Sequence, residues 1–346
     1  MNKLVTVLLG LLLSTALPSL VAAQQTQMKI QRMLVDDDES YSPGIKEPAY
    51  EKDGPVVLVD AGHRNFLWQH GIFRLLTADG YRAKELNGQF TFDALQQATV
   101  LVVAGPGVMR SRKDLESPQP LFTEVEAATL HDWVPGGGRL VLAGSKEEIA
   151  VLLRRFDVEF SRGVVSDEKL VSPKSAQEDR DYKLDAGNGG LSQDGIINGR
   201  RPEEQVKAVL LDSIATAIVK TPANARPLLR CSGNAMTYEP DSLQIIELKA
   251  VVAASVTAGK IPPDAASSPA PAQRKTPVPH VPLAIAFAFG KGRVVVVPNS
   301  MMFTAMIRRE VINGKKAETG RQIGLTEADN QQFALNIMHW LSGLID

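Results

Sequence analysis

The string Val59-Asp60-Ala61-Gly62-His63 places a carboxylate and an imidazole three residues apart, directly after a run of β-branched residues. Aspartate and histidine in this arrangement could bind a metal ion or exchange a proton with a substrate. Catalytic zinc needs three protein ligands and one open coordination position. His63 is the one plausible ligand in this region, so the sequence predicts no metal site and no cofactor.

The pattern strand-Asp-x-Gly-His resembles the opening of the zinc N-acetylmuramoyl-alanine amidases, in which the histidine is a zinc ligand. The resemblance stops there, because Arg64 stands where those enzymes have glycine and no acidic residue follows at a suitable distance. His131 falls on a predicted helix. His70 lies seven residues after His63 but follows a predicted loop, so we expect it at the surface.

Two residues could act as nucleophiles, Ser145 and Cys231. A serine nucleophile needs a neighbouring base, and the histidines downstream are His280, in a predicted mobile loop, and His339, on a predicted core helix. Ser145 is followed three residues later by Glu148, which is the pattern of a capping box, so we interpret Ser145 as a helix cap. Cys231 is interpreted as a buried free thiol or a loop residue.

Polar residues also follow several predicted strands and open the last predicted helix. The candidate ligand-binding residues are Asp60, His63, Asn65, Asn299, Ser300, Asp329 and Asn330. If the strands are adjacent, these residues converge on a polar pocket that a helix N-terminus faces. Alternatively, Asn299, Ser300 and Asp329 are turn formers and caps, and Asp60 holds a loop backbone. Both interpretations stay open.

A predicted alternation of strands and helices positions these residues. The sequence predicts strands over 55–60, 81–86, 99–104 and 139–143, with helices over 68–78, 124–135 and 146–155. This order is typical of a doubly wound, mostly parallel sheet flanked by helices, an α/β fold of the flavodoxin type. The C-terminal part predicts a hairpin over 283–297 and a final helix through Trp340. Sheets of this kind bind ligands at the carboxyl ends of their strands.

The composition is that of a globular chain with nearly balanced charge. Of 346 residues, 44% are hydrophobic and 22% are charged, which excludes a wholly disordered chain. Lysine and arginine total 38 against 39 acidic residues, so we expect no nucleic-acid partner. A single cysteine excludes an internal disulfide framework and any multi-cysteine metal site.

Residues 1–23 have the layout of a secretory signal peptide. Lys3 precedes an apolar run over 4–13, and small residues precede a predicted cut between Ala23 and Gln24. An uncleaved membrane anchor is the alternative, but the apolar run is shorter than the roughly 20 residues that a span needs. We therefore expect an exported chain, periplasmic or extracellular, with no membrane span after cleavage.

The rest of the chain is predicted to hold one folded domain. Residues 24–53 are predicted to be a polar tether, in which the acidic run 36–39 is solvated chain. Residues 54–346 are predicted to form a single α/β domain. A Pro- and Ala-rich stretch at about 258–282 is predicted to be a mobile insertion within it.

A longer, ordered set of motifs resembles the class I glutamine amidotransferase-like superfamily. The set is most similar to its exported bacterial branch of unknown function, which is related to gliding-motility and transporter-auxiliary domains. The resemblance runs from Glu47 to the C-terminus, with 166–200 and 258–282 as departures. The motifs occupy 47–50, 54–66, 75–82, 122–126, 133–140, 289–296, 329–336 and 340–341.

This resemblance implies an amidotransferase-like fold without the amidotransferase reaction. Active members carry a cysteine on a strand-to-helix elbow, activated by a later histidine and glutamate. The matching stretch here, 142–146, is a degenerate elbow with Ser145 and no cysteine. We predict a non-catalytic exported domain that binds a small ligand, a glycan or a protein partner in the cell envelope. The alternative is a serine- or metal-dependent envelope hydrolase that uses the Asp60/His63 region.

Overall fold

A computed structural model describes residues 32–51, 53–63, 70–104, 121–167, 182–211, 215–240, 273–312, 315–316 and 321–346. The strands are β1 Arg32–Asp37, β2 Val56–Asp60, β3 Arg82–Leu86, β4 Val100–Ala104, β5 Arg139–Ala143, β6 Glu159–Ser166, β7 Tyr182–Asp185, β8 Ala208–Leu211, β9 Thr216–Lys220, β10 Arg226–Arg230, β11 Met236–Pro240, β12 Gln273–Pro277, β13 Pro282–Phe289, β14 Gly292–Val297, β15 Ala305–Ile312, β16 Lys315–Lys316 and β17 Arg321–Gly324. The helices are α1 His70–Ala78, α2 Phe92–Leu95, α3 Glu124–Trp133, α4 Lys146–Arg155, α5 Gly195–Asn198 and α6 Asn330–Ser342. Short 3-10 turns cover Val134–Gly136, Pro202–Glu204 and Met301–Phe303.

A seven-stranded sheet in the order β10-β13-β14-β5-β4-β2-β3 is the centre of the molecule. Its strands from β14 through β3 pair in parallel, whereas β13 is antiparallel to both of its neighbours. The chain therefore has an α/β fold with a mostly parallel sheet, as the alternation of elements predicts.

Helices cover both faces of the parallel strands. Val57 and Val59 of β2 pack in one core cluster with buried residues of α1 and α6. Leu58, between them, points to the other face and packs with residues of α3 and α4. Because both faces are covered, the inner strands β2, β4, β5 and β14 are largely aliphatic runs without polar alternation, whereas the edge strand β3 is polar and largely exposed.

The C-terminal hairpin joins the central sheet, as predicted. Strands β13 and β14 pair from Ile285 opposite Val296 to Phe289 opposite Gly292. Gly290 in the turn has a φ of +60°, and a Cβ there would lie 2.6 Å from Pro135 Cα. Only glycine fits this left-handed, closely approached position.

Part of the predicted tether is built into the fold. Strand β1 pairs antiparallel with β15 in a separate sheet that also contains β16 and β17. Asp38, predicted to be solvated, is fully buried and accepts hydrogen bonds from the Ser40 hydroxyl and Gln322 Nε2. The prediction of a tether was therefore wrong for these residues. It failed because β15 and Gln322, with which they pair, lie more than 260 residues away along the chain.

The predicted insertion is also partly ordered structure. Strand β12, within 258–282, pairs antiparallel with β11 in a sheet of order β12-β11-β6-β9. Residues 258–272 of the predicted insertion lie outside the described residues. Neither this sheet nor the β7–β8 pair was predicted, and β7 falls in the segment 166–200 that departs from the resemblance.

The predicted signal peptide, 1–23, lies outside the described residues, so export and the single-domain partition stay predictions. In the ranges that the structure describes, no helix is both long and apolar enough to cross a membrane.

Candidate functional site

Four parallel strands end together at one side of the central sheet. Asp60 ends β2, Ala104 ends β4, Ala143 ends β5 and Val297 ends β14. Their parallel register brings these ends side by side. We call this side the carboxyl edge, and it is where α/β sheets place ligand sites.

A buried carboxylate–imidazole–carboxylate arrangement, Asp60, His63 and Glu126, lies at the carboxyl edge; we call it the His63 triad. His63 Nδ1 lies 2.8 Å from Asp60 Oδ1, and His63 Nε2 lies 2.8 Å from Glu126 Oε1. The exposed fractions are 0% for Asp60, 8% for His63 and 3% for Glu126. Both imidazole nitrogens are therefore engaged by carboxylates.

A tight turn after β2 places His63 above Asp60. The backbone N–H groups of Ala61 and Gly62 both donate to Leu86 O, at 3.0 Å. Gly62 N also donates to Asp60 Oδ1, at 3.2 Å. A Cβ on Gly62 would lie 2.5 Å from Gly88 N, so the close approach of these two loops requires glycine.

Glu126 reaches the triad from the first turn of α3. Its Oε2 accepts hydrogen bonds from Thr123 N and Oγ1, at 2.9 and 2.8 Å, which completes a capping box. Its Oε1 accepts from Phe90 N at 3.2 Å as well as from His63. The sequence predicts a helix from residue 124, but Glu126 was not among the predicted site residues.

Two phenylalanine rings enclose the imidazole. The centroids of Phe90 and Phe122 each lie 4.5 Å from that of His63, and the two phenylalanine rings are stacked at 5.6 Å. Both rings are buried, at 2% and 1% exposure. They exclude water from the triad and fix the orientation of the imidazole plane.

The surroundings favour the charged forms of His63 and Glu126. Burial lowers the pKa of His63, but the hydrogen bonds and charges of Asp60 and Glu126 outweigh it and raise the pKa above 6.5. Burial raises the pKa of Glu126, but the bonds from Thr123 and His63 outweigh it and lower the pKa below 4.5. With a carboxylate on each nitrogen, His63 has no free nitrogen with which to bind a metal or accept a proton from a substrate.

The other predicted ligand-binding residues are placed separately. Asn65 lies outside the described residues. Asn299 is buried beyond β14 and its Oδ1 accepts from Met302 N at 3.3 Å, next to Ser300, which precedes the 3-10 turn Met301–Phe303. This pair lies at the carboxyl edge in a turn.

The side chains of Asp329 and Asn330 form hydrogen bonds with backbone groups instead of facing the triad. Asp329 Oδ2 accepts from Lys207 N and Ala208 N, at 2.7 and 3.0 Å. Asn330 Oδ1 accepts from Leu210 N, and its Nδ2 donates to the carbonyls of Leu210 and Gly324, each at 2.9 Å. These contacts fasten the start of α6 to β8 and β17.

Among the described residues, neither candidate nucleophile has an activating partner. Ser145 is the N-cap of α4, and its N–H donates to Glu148 Oε2 at 2.7 Å. Within the described ranges, no hydrogen bond joins the Ser145 hydroxyl to a histidine. Cys231 is a free, fully buried thiol, and burial raises its pKa to about 12. A thiol with that pKa is not a nucleophile at neutral pH.

The described part of the chain contains no group of three or more His, Cys, Asp or Glu side chains arranged to hold a metal ion. The polar groups of the triad are arranged to pair with one another.

No protein-family model and no curated protein sequence matches this chain. Among solved structures, the mmIFT52 N-terminal domain is similar with a TM-score of 0.50 and 12% identity, over 83% of this chain and 97% of that one. A putative GMP synthase protein from Thermoplasma acidophilum gives a TM-score of 0.41 and 8% identity, over 85% and 97%. A putative ThuA-like protein from Parabacteroides merdae gives 0.39 and 12%, over 84% and 91%. At these identities the likeness concerns the fold alone.

Proposed function

We propose that this chain is an exported, non-catalytic domain of the amidotransferase-like type that binds an envelope protein at the carboxyl edge. The ordered motifs and the mostly parallel seven-stranded sheet support the superfamily. The charged, apolar and small-residue layout of 1–23 supports export.

One observation carries the non-catalytic part of the proposal, namely that both nitrogens of His63 are bonded to carboxylates. A general base needs a free nitrogen within reach of a proton on the substrate, and a metal ligand needs a lone pair. The alternative, a serine- or metal-dependent hydrolase, would require either a general base or a metal ligand in the Asp60/His63 region. The triad is better suited to fixing the shape and the charge of the carboxyl edge than to catalysis.

Two exposed apolar side chains beside the triad favour a protein partner. Phe92 on α2 is 48% exposed and Val125 on α3 is 75% exposed, and these helices pack against each other. Val125 is the residue before Glu126, and Phe92 lies two residues after Phe90, so both flank the triad. Aromatic and aliphatic side chains in such a position are typical of protein contact surfaces.

Site-specific photocrosslinking in the native cell tests where the partner binds. A photoreactive residue at Phe92 or Val125 should give a light-dependent adduct with one defined envelope protein. Val219, 54% exposed on β9 in a different sheet, is the matched control and should give no such adduct. Equal adducts at all three positions, or none at Phe92 and Val125, would overturn the binding assignment.

Export is tested independently of binding. Fractionation followed by mass spectrometry of the N-terminus should find the chain outside the cytoplasm, beginning at Gln24. A cytoplasmic chain that retains Met1 or Asn2 would refute export and leave the crosslinking result to be interpreted inside the cell.

A further inference from the structure

A cavity of about 470 Å³ lies at the end of the central sheet opposite the carboxyl edge. Asp79, one of its lining residues, follows α1 and precedes β3, at the amino ends of the parallel strands. The cavity is also lined by Lys46, by the turn Arg200–Glu204 and by His339 of α6. We call it the His339 cavity. It is separate from the proposed binding edge, and nothing in the function proposed above uses it.

His339 is held by Asp79 through one nitrogen only. His339 Nε2 lies 2.8 Å from Asp79 Oδ2, and Asp79 Oδ1 accepts from Ala49 N at 2.8 Å. Both side chains are buried, with 2% exposure each. Because an ionised aspartate only accepts, this bond places the proton of a neutral imidazole on Nε2, and in that form Nδ1 presents a lone pair.

His339 Nδ1 is a buried polar atom with no hydrogen-bond partner among the described residues. The nearest charged group, Glu204 Oε2, lies 3.9 Å away, beyond hydrogen-bond reach. Buried polar atoms in proteins are nearly always paired with protein or bound molecules. The free nitrogen of a residue that lines a cavity therefore indicates an occupant with an N–H or O–H donor.

Glu204 is already saturated by two arginines. Arg200 Nε and Nη2 donate to it at 2.6 to 3.1 Å, and Arg201 Nε donates at 3.0 Å. Arg200 N adds a backbone bond at 3.0 Å. Burial raises the pKa of Glu204, but these bonds outweigh it and lower the pKa to about 2. Arg201 also pairs with Glu47.

After these pairings, one cation and one anion are left at the opening of the cavity. Lys46 and Glu203 line it, are exposed, and form no ion pair or hydrogen bond with other described side chains. Apart from the His339 imidazole, the described lining contains no aromatic ring on which a sugar would stack. The cavity therefore suits a ligand with opposite charges better than a glycan.

We propose that the His339 cavity binds a small zwitterion, an amino acid or a dipeptide. Its ammonium donates a hydrogen bond to His339 Nδ1 on the side of Glu203, and its carboxylate lies toward Lys46. The cavity volume is ample for a dipeptide, and each charged end meets one of the two lining groups that have no partner among the described side chains.

Isothermal titration of the chain from Gln24 with L-alanyl-L-alanine tests this assignment, with N-acetyl-L-alaninamide as the uncharged control. We expect saturable binding of the dipeptide alone. In long-range proton–nitrogen spectra, the Nδ1 resonance of His339 should shift with the same saturation. Equal binding of the uncharged analogue, or no saturable binding while the Nδ1 signal stays constant, would show a water-filled cavity and overturn the proposal.

Substitutions of exposed residues at the opening of the His339 cavity test the binding proposal without disturbing the buried core. Lys46→Gln and Glu203→Gln change exposed side chains, and each should weaken dipeptide binding about twofold to fivefold, the loss of one exposed charge contact. Lys291→Gln, an exposed lysine in the β13–β14 turn, is the matched control and should leave the affinity unchanged. Equal weakening by all three would indicate nonspecific electrostatics and refute the site.

Discussion

Replacing His63 with alanine should lower the free energy of unfolding by about 3–5 kcal/mol near pH 6. The substitution leaves Asp60 and Glu126, at 0% and 3% exposure, facing an empty space without their shared cation. Removing one partner of a buried ion pair costs this much because the remaining charge stays buried. The lost contacts with Phe90 and Phe122, both at 4.5 Å between centroids, add to the cost.

His70→Ala is the matched control, since His70 also bonds an aspartate through Nδ1, Asp37 Oδ2 at 2.9 Å. Its side chain is 59% exposed, so the expected loss is below about 1 kcal/mol. Urea denaturation of both variants, followed by circular dichroism, measures the difference. If His63→Ala costs no more than His70→Ala, the triad is not the buried ionic unit described above.

The same variant pair tests how the triad depends on pH. Because the pKa of folded His63 is raised above 6.5, its stabilisation is complete below that pH and is lost as pH rises through the folded value. Because the pKa of Glu126 is lowered below 4.5, its contribution is present above 4.5 and is lost as pH falls through the folded value. The stability difference between wild type and His63→Ala should therefore be largest between 4.5 and 6.5, and a flat difference from pH 5 to 9 would contradict these shifts.

Three further outcomes follow from the packing. Cys231 should resist Ellman's reagent in the folded protein and react fully in urea, because the thiol is buried and its pKa is about 12. Asn330→Ala should cost about 3 kcal/mol in urea denaturation, since it removes three hydrogen bonds of a fully buried side chain, of roughly 1 kcal/mol each. Gly343→Ala should cost about 1–2 kcal/mol for its φ of +83° alone. Gly80→Ala, at a φ of +84°, should lower the melting temperature clearly more, since its Cβ would lie 1.8 Å from Tyr50 O.

The central sheet could be predicted because its signals are local. Aliphatic runs such as 100–104 report burial on both faces, and Thr123 with Glu126 and Ser145 with Glu148 mark helix starts through residues only three apart. The observed strands and helices of this region begin within about two residues of the predicted ones wherever the structure describes them. Each of these signals depends on neighbours within one or two turns of chain.

The smaller sheets could not be predicted because their pairing is non-local. Strand β1 includes the acidic residues Asp36 and Asp37, which in isolation favour solvated chain, and its ladder to β15 spans roughly 270 positions. Arg309 Nη1 donates to Asp36 Oδ2 at 2.9 Å, which removes the penalty for ordering that carboxylate. Polarity alone therefore predicted solvated chain and missed the partners of this strand.

Only two of the three residues of the His63 triad could be identified from the sequence, for a related reason. Asp60 and His63 stand three residues apart and follow a strand, so their proximity can be read from the sequence. Glu126 lies 63 residues beyond His63, and its place in a capping box already accounts for a glutamate there. A residue with a sufficient local explanation gives no signal of a second, distant partner.

Four histidines in the described part of the chain each bond an aspartate, and such a pair by itself does not determine what the histidine can do. His131 bonds the neighbouring Asp132 at the surface, with 3.1 Å between Nδ1 and Oδ1. His70 is largely exposed, so its bond to Asp37 is weak and replaceable by water. His63 is buried with carboxylates on both nitrogens, which makes it a fixed charge. His339 is buried with a carboxylate on one nitrogen, and it lines a cavity. Its other nitrogen, Nδ1, is therefore able to accept a hydrogen bond from a ligand. Burial and the state of the second nitrogen therefore distinguish a surface ion pair, a buried structural charge and a binding group, and they direct the search for a ligand to the His339 cavity.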